Sequence, residues 1–280
     1  MNDLIDGLED AIRTQCSDAM REHYSGDLDA LELHAVVQDY VTWKARFPSA
    51  RPRQVHESDV FAASDLRVRY ADGLAAIRRD ITAGADLEAY LSRGVWKAHG
   101  RDRLLAHNGI HHLHMEPAGS EHVLFVAFQP DHAYLIGICA HESDGANWAE
   151  RAILETLVRN WEGAGVLFSS PYVMGVRAEF DDDARLELQR SGVNLAVEID
   201  GRVWSPLGAS LNGAPRVAAK IGMEVGWTLQ KLRDAGEAAL VAELRAISAE
   251  EWSPAICQGQ YGYYAERANT FRSFGTLDPP

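Results

Sequence analysis

A chain of 280 residues, 46% hydrophobic and 24% charged, is long enough for one large or two ordinary domains built on a true core. A formal net charge of −14 excludes a protein that coats nucleic acid by bulk attraction, and apolar runs no longer than residues 123–128 and 133–140 exclude a bilayer-spanning helix. Cys16, Cys139 and Cys257 are widely spaced with no CxxC pair, which argues against a disulfide framework or thiolate zinc site and for a reducing, cytoplasmic setting.

The first residues, MNDLIDGLEDAIRTQ, are acidic and amphipathic, unlike a signal or transit peptide. Leu4, Ile5, Leu8, Ile12, Cys16 and Met20 recur at helical spacing and predict a helix over residues 2–24, broken by Gly26. Asp27 or Asp29 is expected to cap a second helix with Leu31, Leu33, Val36, Val37, Tyr40, Val41 and Trp43 along one side. The pair makes a helical hairpin within residues 1–55, with a packing role or a partner surface. Residues 48–54, PSARPRQ, read as a loop. Residues 65–83 predict a helix with Leu66, Val68, Leu74, Ile77 and Ile81 inward, Arg67, Arg69, Arg78 and Arg79 on a basic flank, and Gly84 as its stop. Asp86 then caps a short turn.

Charge is unevenly distributed. Residues 1–40 carry ten acids and two bases, whereas residues 40–110 carry twelve Lys and Arg against eight Asp and Glu. Such a local surplus, rather than the total, steers an anionic substrate. Arg93, Lys97, Arg101 and Arg103 sit just ahead of the next segment, where cations suit phosphate chemistry.

That segment, residues 104–141, holds most of the information. Three strands are expected at residues 110–115, 123–128 and 133–140, separated by polar turns with Gly and Pro, as in an antiparallel meander. Eight of the eleven histidines lie between His99 and His141. Alternation puts His112 and His114 on one face of the first strand and His111 and Leu113 on the other, while His141 ends the third. Histidine suits both proton transfer near neutral pH and metal ligation. His107, His122 and His132 fall at positions expected to be exposed turns.

Beyond His141, Ser143, Asp144 or Asn147 is expected to cap a helix with Trp148, Ile153, Leu154, Leu157, Val158 and Trp161 inward. Residues 173–180 read as a strand and residues 180–192 as a short helix with acids in its first turn. LAVEIDGRVWSP reads as a hairpin turning on Asp200-Gly201. Residues 208–213 form a Gly/Ser loop able to cradle an anion ahead of a helix over 216–232, with Val217, Ile221, Val225 and Leu229 inward. Another helix covers 236–247, and the tail is aromatic and Gly-rich. No Walker, dinucleotide-binding, HExxH or GxSxG motif is present, and no internal repeat.

Three stretches carry a resemblance: Asn108-Gly109-Ile110-His111-His112-Leu113-His114-Met115, Val123-Leu124-Phe125-Val126-Ala127, and residues 134–141. Over residues 60–162 the chain is similar to a group of uncharacterised bacterial proteins with an HHLH strand, whose strand order resembles the RelE/ParE toxin fold of small ribonucleases. The resemblance implies an α+β fold with a central antiparallel RelE-like meander at residues 56–165, between the helical region 1–55 and a C-terminal αβ unit at 166–280. It also implies a toxin-like or defence-associated ribonuclease in the cytoplasm, with RNA as substrate, a neutralising protein as partner, and compatibility with a homo-oligomer.

Cleavage by attack of a 2′-hydroxyl needs a base, an acid and a cation at the phosphate. His112, His114 or His141 would supply the first two, Arg93 or Lys97 the third, with Arg101 and Arg103 binding substrate and no metal or other cofactor required. Two other classes use the same residues. His112-Leu113-His114 has the His-apolar-His form of HUH endonucleases, which cleave single-stranded DNA with a metal and a tyrosine (Tyr261, Tyr263 and Tyr264 being candidates), and a plain metal hydrolase would use His112, His114 and His141. In a non-catalytic binding protein the histidines would be structural.

Overall fold

In a computed structural model the chain is described over residues 3–98, 102–116, 121–141, 151–163, 167–169, 175, 180–191, 193, 195–206, 216–249 and 251–279. It is a mixed α+β protein with several sheets. Among the described residues no helix is long and apolar enough to cross a membrane.

Helix α1 (Asp3–Met20) buries Ile5, Leu8, Ile12, Cys16 and Met20 along one face. Helix α2 (Leu33–Lys44) follows, but neither expected aspartate caps it. Asp27 instead accepts the Asp29 N–H at 3.0 Å inside the turn, and Glu32 holds the cap position without a side-chain bond. Strand β1 (Gln54–Glu57) begins in the expected loop; four residues carry too short a pattern to announce a strand.

Helix α3 (Asp59–Ala63) is capped by Ser58, whose Oγ accepts the Phe61 N–H at 2.9 Å. The helix expected over residues 65–83 breaks at Tyr70 into α4 (Leu66–Arg69) and α5 (Ala71–Ala83). Val68 consequently leaves the apolar stripe and is 84% exposed. Gly84 ends α5 in the left-handed region at φ 72°. Short 3-10 turns follow at Glu88–Tyr90 and Arg93–Trp96; Leu87, rather than the expected Asp86, holds the cap position of the first, and Asp86 accepts the Glu88 N–H at 2.8 Å.

Helix α6 (Arg103–Asn108) ends at Gly109, φ 69°, and the chain turns directly into β2 (Ile110–His114), then β3 (His122–Phe128) and β4 (His132–Ala140). Next come α7 (Arg151–Trp161), β5 (Leu167–Ser169) and α8 (Asp182–Arg190), the last capped by Asp181 on the Ala184 N–H at 2.8 Å. Strands β6 (Val197–Ile199) and β7 (Arg202–Pro206) precede the helices α9 (Arg216–Ala235) and α10 (Glu237–Ile247). The aromatic tail forms β8 (Ser253–Cys257), β9 (Gln260–Ala265) and β10 (Thr270–Thr276). The expected caps of α7, the loop at 208–213, and all but residues 175 and 180 of the strand expected over 173–180 lie outside the described residues.

These elements group into two compact units that do not follow chain order: residues 1–45, 96–100 and 217–280 in the first, residues 46–95 and 101–216 in the second. In the first unit the antiparallel sheet β8–β9–β10 shares a core with α1, α2, α9 and α10. Tyr261 and Tyr263 are its largest fully buried side chains, and the Tyr263 hydroxyl donates to the Leu4 carbonyl at 2.9 Å.

The second unit is built on a four-stranded sheet in the order β1–β4–β3–β2, with β1 parallel to β4 and the other pairs antiparallel. One face packs Leu113, Leu124, Val126 and Leu135 against Leu74, Ile77 and Ile81 of α5. The other packs Ile110, Val123, Phe125, Tyr134 and Ile136 against Ile153, Leu154, Leu157 and Val158 of α7. Helix α5 approaches β2 closely: a Cβ on Gly73 would lie 2.0 Å from the Met115 carbonyl oxygen, so only glycine fits there.

Strands β6 and β7 pair through Ile199 and Arg202 around a two-residue turn, with Asp200 at φ 51° and Gly201 at φ 72°, the type I′ signature. No heavy atom lies within 4 Å of a Cβ built on Gly201, so backbone strain alone resists substitution. Gly201→Val is expected to cost about 1–3 kcal/mol, and Gly201→Asn much less. Equal thermal melts for wild type and Gly201→Val would overturn this account of the turn.

Candidate functional site

The site grows out of one strand. In β2, Ile110, His112 and His114 face α7, while His111 and Leu113 face α5, and antiparallel pairing sets His112 opposite Phe125 and His114 opposite Val123 on β3. On the far side of β3, Val123 pairs with Cys139 of β4. His141, two residues past Cys139, is tied to the start of β3 by its N–H, which donates to the Glu121 carbonyl at 2.7 Å.

Three imidazoles therefore gather over the end of β3. Ring centroids are 6.1 Å apart for His112–His114, 6.1 Å for His112–His141 and 5.0 Å for His114–His141. One nitrogen from each ring lies within 4.8 Å of the other two. His112 and His114 are half-buried and His141 is exposed, which leaves the cluster open on the His141 side.

A fourth group completes it. Asp102 is the N-cap of α6: its Oδ1 accepts the Leu105 N–H at 3.0 Å, and its Oδ2 lies 3.6 Å from His112 Nδ1. That separation suits an ion pair when His112 is protonated and is slightly longer than a hydrogen bond. Both side chains are shielded, at 10% exposure for His112 and 21% for Asp102. Asp102 is absent from the residues expected from sequence. Its signal is a local one, an Asp ahead of the helix RLLAHN and its Gly109 stop, but nothing local ties that cap to a histidine ten residues on.

Crowding changes the proton affinity of the rings. Burial, and then the nearby His141 and His112 rings, push His114 down to about 4. Burial and the His112 ring also hold His141 below its ordinary value. At neutral pH the cluster thus presents the unshared nitrogen pairs of His114 and His141.

Four other histidines of this unit lie in or beside the sheet and α6. His111 is buried edge-to-face against Phe128 at 5.3 Å. His107, expected as an exposed turn residue, is buried inside α6, because the helix runs through its position. His122 and His132 begin β3 and β4 and are half-buried, since each strand starts one residue earlier than expected. His122 Nδ1 lies 3.0 Å from the Tyr70 hydroxyl, and His132 Nδ1 lies 3.0 Å from His56 Nε2.

The expected cations are not all described in one unit. Arg93 is exposed in its 3-10 turn, and Lys97 belongs to the first unit while the histidines belong to the second. Arg101 lies outside the described residues, and Arg103 is half-buried as the first residue of α6, adjacent to Asp102 in sequence. The candidate nucleophilic tyrosines are in β9 of the first unit, with engaged hydroxyls: Tyr261 on Thr228 Oγ1 at 3.3 Å, Tyr263 on the Leu4 carbonyl at 2.9 Å and Tyr264 on Asn269 Oδ1 at 2.8 Å. Burial also raises the Tyr263 pKa. The Tyr261 and Tyr263 hydroxyls thereby join β9 to α9 and α1.

Comparison of the chain with protein-family models, curated proteins and solved structures finds no match.

The lowered His114 value has a consequence for stability. Below its ordinary value of 6.5 the unfolded chain holds this proton while the folded protein releases it down to about pH 4. Stability in metal-free buffer is therefore expected to fall as pH drops through that window and to be insensitive to this group above it. His114→Gln removes part of the fall; denaturation curves at pH 4 to 6.5 with the same slope for both proteins would contradict the assignment.

Proposed function

We propose that the chain is an RNA-cleaving enzyme whose reaction centre is the cluster His112, His114 and His141. The observation that carries this reading is the convergence of three imidazoles on one sheet face, with the Asp102 carboxylate 3.6 Å behind one of them. Titratable groups drawn together against their mutual repulsion cost stability, and such arrangements concentrate at functional sites. The meander β2–β3–β4 flanked by helices supports retaining the RelE/ParE-like reading of this unit, and with it a toxin-like or defence-associated role, a cytoplasmic setting and a neutralising protein partner.

The chemistry divides among the three rings by environment. His114, unprotonated at neutral pH, takes the proton from the 2′-hydroxyl as it attacks the adjacent phosphorus. His112, with Asp102 placed to pair with its protonated form, gives a proton to the departing 5′-oxygen. The products are a 2′,3′-cyclic phosphate and a 5′-hydroxyl. His141, on the exposed side, meets the incoming phosphodiester, and Arg103, in the first turn of α6, follows Asp102 directly in the chain. A base with so low a proton affinity is fully available at pH 7 but pulls weakly on the proton, which favours a modest rate.

Purified protein is expected to degrade single-stranded RNA in the presence of a chelator. His112→Ala and His114→Ala should each lower the rate by roughly 10²–10⁴-fold without lowering the melting temperature. Absence of cleavage across RNA substrates, or undiminished cleavage by the double variant, would sink the proposal.

A further inference from the structure

We infer that His112, His114 and His141 also form a binding site for one divalent transition-metal ion of the zinc class, with Asp102 as the residue that positions His112. The site goes beyond the acid–base reading, because it needs only the geometry and donor chemistry of these four side chains.

Two ligands come from alternate positions of one strand, and the third is the residue that follows β4, tied to the start of β3 through the Glu121 carbonyl. The two strand positions give part of the set a regular scaffold, and strands hold metal ligands more accurately than loops do. The nitrogens lie within 4.8 Å of one another. In a tetrahedral zinc site, bonds of about 2.0–2.1 Å put imidazole nitrogens roughly 3.4 Å apart. Binding therefore draws the three nitrogens closer, and χ2 rotation of the imidazole rings is the softest available motion.

The donor set chooses the ion. Three imidazoles and no thiolate suit zinc, cobalt, nickel or copper, and not magnesium or calcium, which prefer oxygen. Three protein ligands leave a fourth position, and the cluster is open on the His141 side. Asp102 supplies the outer support that a ligating histidine usually has. With Nδ1 of His112 turned towards its carboxylate, that nitrogen carries the proton and Nε2 is left for the ion. The same carboxylate caps α6, and α6 runs through Gly109 straight into β2, so ligand orientation is built into the helix–strand junction.

Occupancy has a regulatory consequence, which rests on the ribonuclease reading. The ion takes the nitrogen lone pairs that the base and the phosphate-facing ring would use, so it switches RNA cleavage off, and a chelator switches it on.

The test uses full-length, tag-free protein stripped with a chelator. Zn²⁺ is titrated against a competing chromophoric chelator, and Co²⁺ is followed by visible absorption, which is intense only in four-coordinate sites. One ion per chain is expected, with a rise in melting temperature on binding. His112→Ala, His114→Ala and the exposed His141→Ala should each weaken binding at least tenfold. Asp102→Asn retains a good helix cap and should melt as wild type yet bind about 10–100-fold more weakly; a purely structural Asp102 would leave affinity unchanged. Equal affinity in wild type and the folded His141→Ala protein would overturn the site, and equal affinity in Asp102→Asn would overturn the positioning role. RNA cleavage is assayed separately with chelator and with Zn²⁺. Failure to cleave in either condition ends the ribonuclease reading while leaving the binding result intact, and Zn²⁺ that raises the rate overturns the inhibitory role alone.

Discussion

The register of β2 against β3 is the constraint on which the second unit depends. Both faces of this sheet are covered, by α5 on one side and α7 on the other, so each position of β2 has a dictated environment. A slip of one residue would turn Leu113 away from Leu74, Ile77 and Ile81 and press His112 and His114 into their place. Losing the burial of one leucine costs roughly 1.5–3 kcal/mol, and desolvating two imidazoles without partners adds to it. The apolar residues of the strand thereby hold the histidines in position, although the histidines contribute little to the core themselves.

What the register brings together is costly in itself. Burial first, and then the neighbouring His141 and His112 rings, disfavour the protonated form of His114. The Asp102 carboxylate stands beside His112, and it is held in place by the first turn of α6. The helix cap, the left-handed glycine after Asn108 and the first residues of β2 are therefore one mechanical element. A change in the cap is transmitted to a histidine because no flexible segment separates them. Ser58 plays a comparable double part on the β1 side, accepting the Phe61 N–H and donating its hydroxyl to the Ile136 carbonyl at 2.6 Å, which joins α3 to β4.

The first unit shows a different economy. Its sheet is short and its helices come from both ends of the chain, yet its core is continuous from Ile5 through Val41 to Tyr263 and Leu277. Tyrosines do the bridging: Tyr263 buries its ring in the core and satisfies its hydroxyl on the first turn of α1, the usual compromise for a phenol in an apolar interior. Glu237, at the start of α10, accepts the Leu4 N–H at 3.1 Å and satisfies one of the free donors at the N-terminus of α1.

Local pattern determined a good deal. Helical spacing marked the buried faces of α1, α5, α7 and α9, an acidic first turn marked α8, and Asp200-Gly201 marked a hairpin, because each depends on residues a few positions apart. Strand alternation likewise placed His112 and His114 side by side. Pairing between distant segments was decided only by the tertiary structure. That His141 joins the other two depends on which strand lies next to which and in what register. That Asp102 backs His112 depends on the angle at which α6 meets β2. β1 is a strand only because β4 lies beside it, and β8 turns into β9 at Gln258-Gly259, whose positive φ values the residue pair does not advertise as Asp-Gly does. Periodicity is a property of a short window of chain, whereas a site, like a core, is a property of the contacts that folding makes between windows.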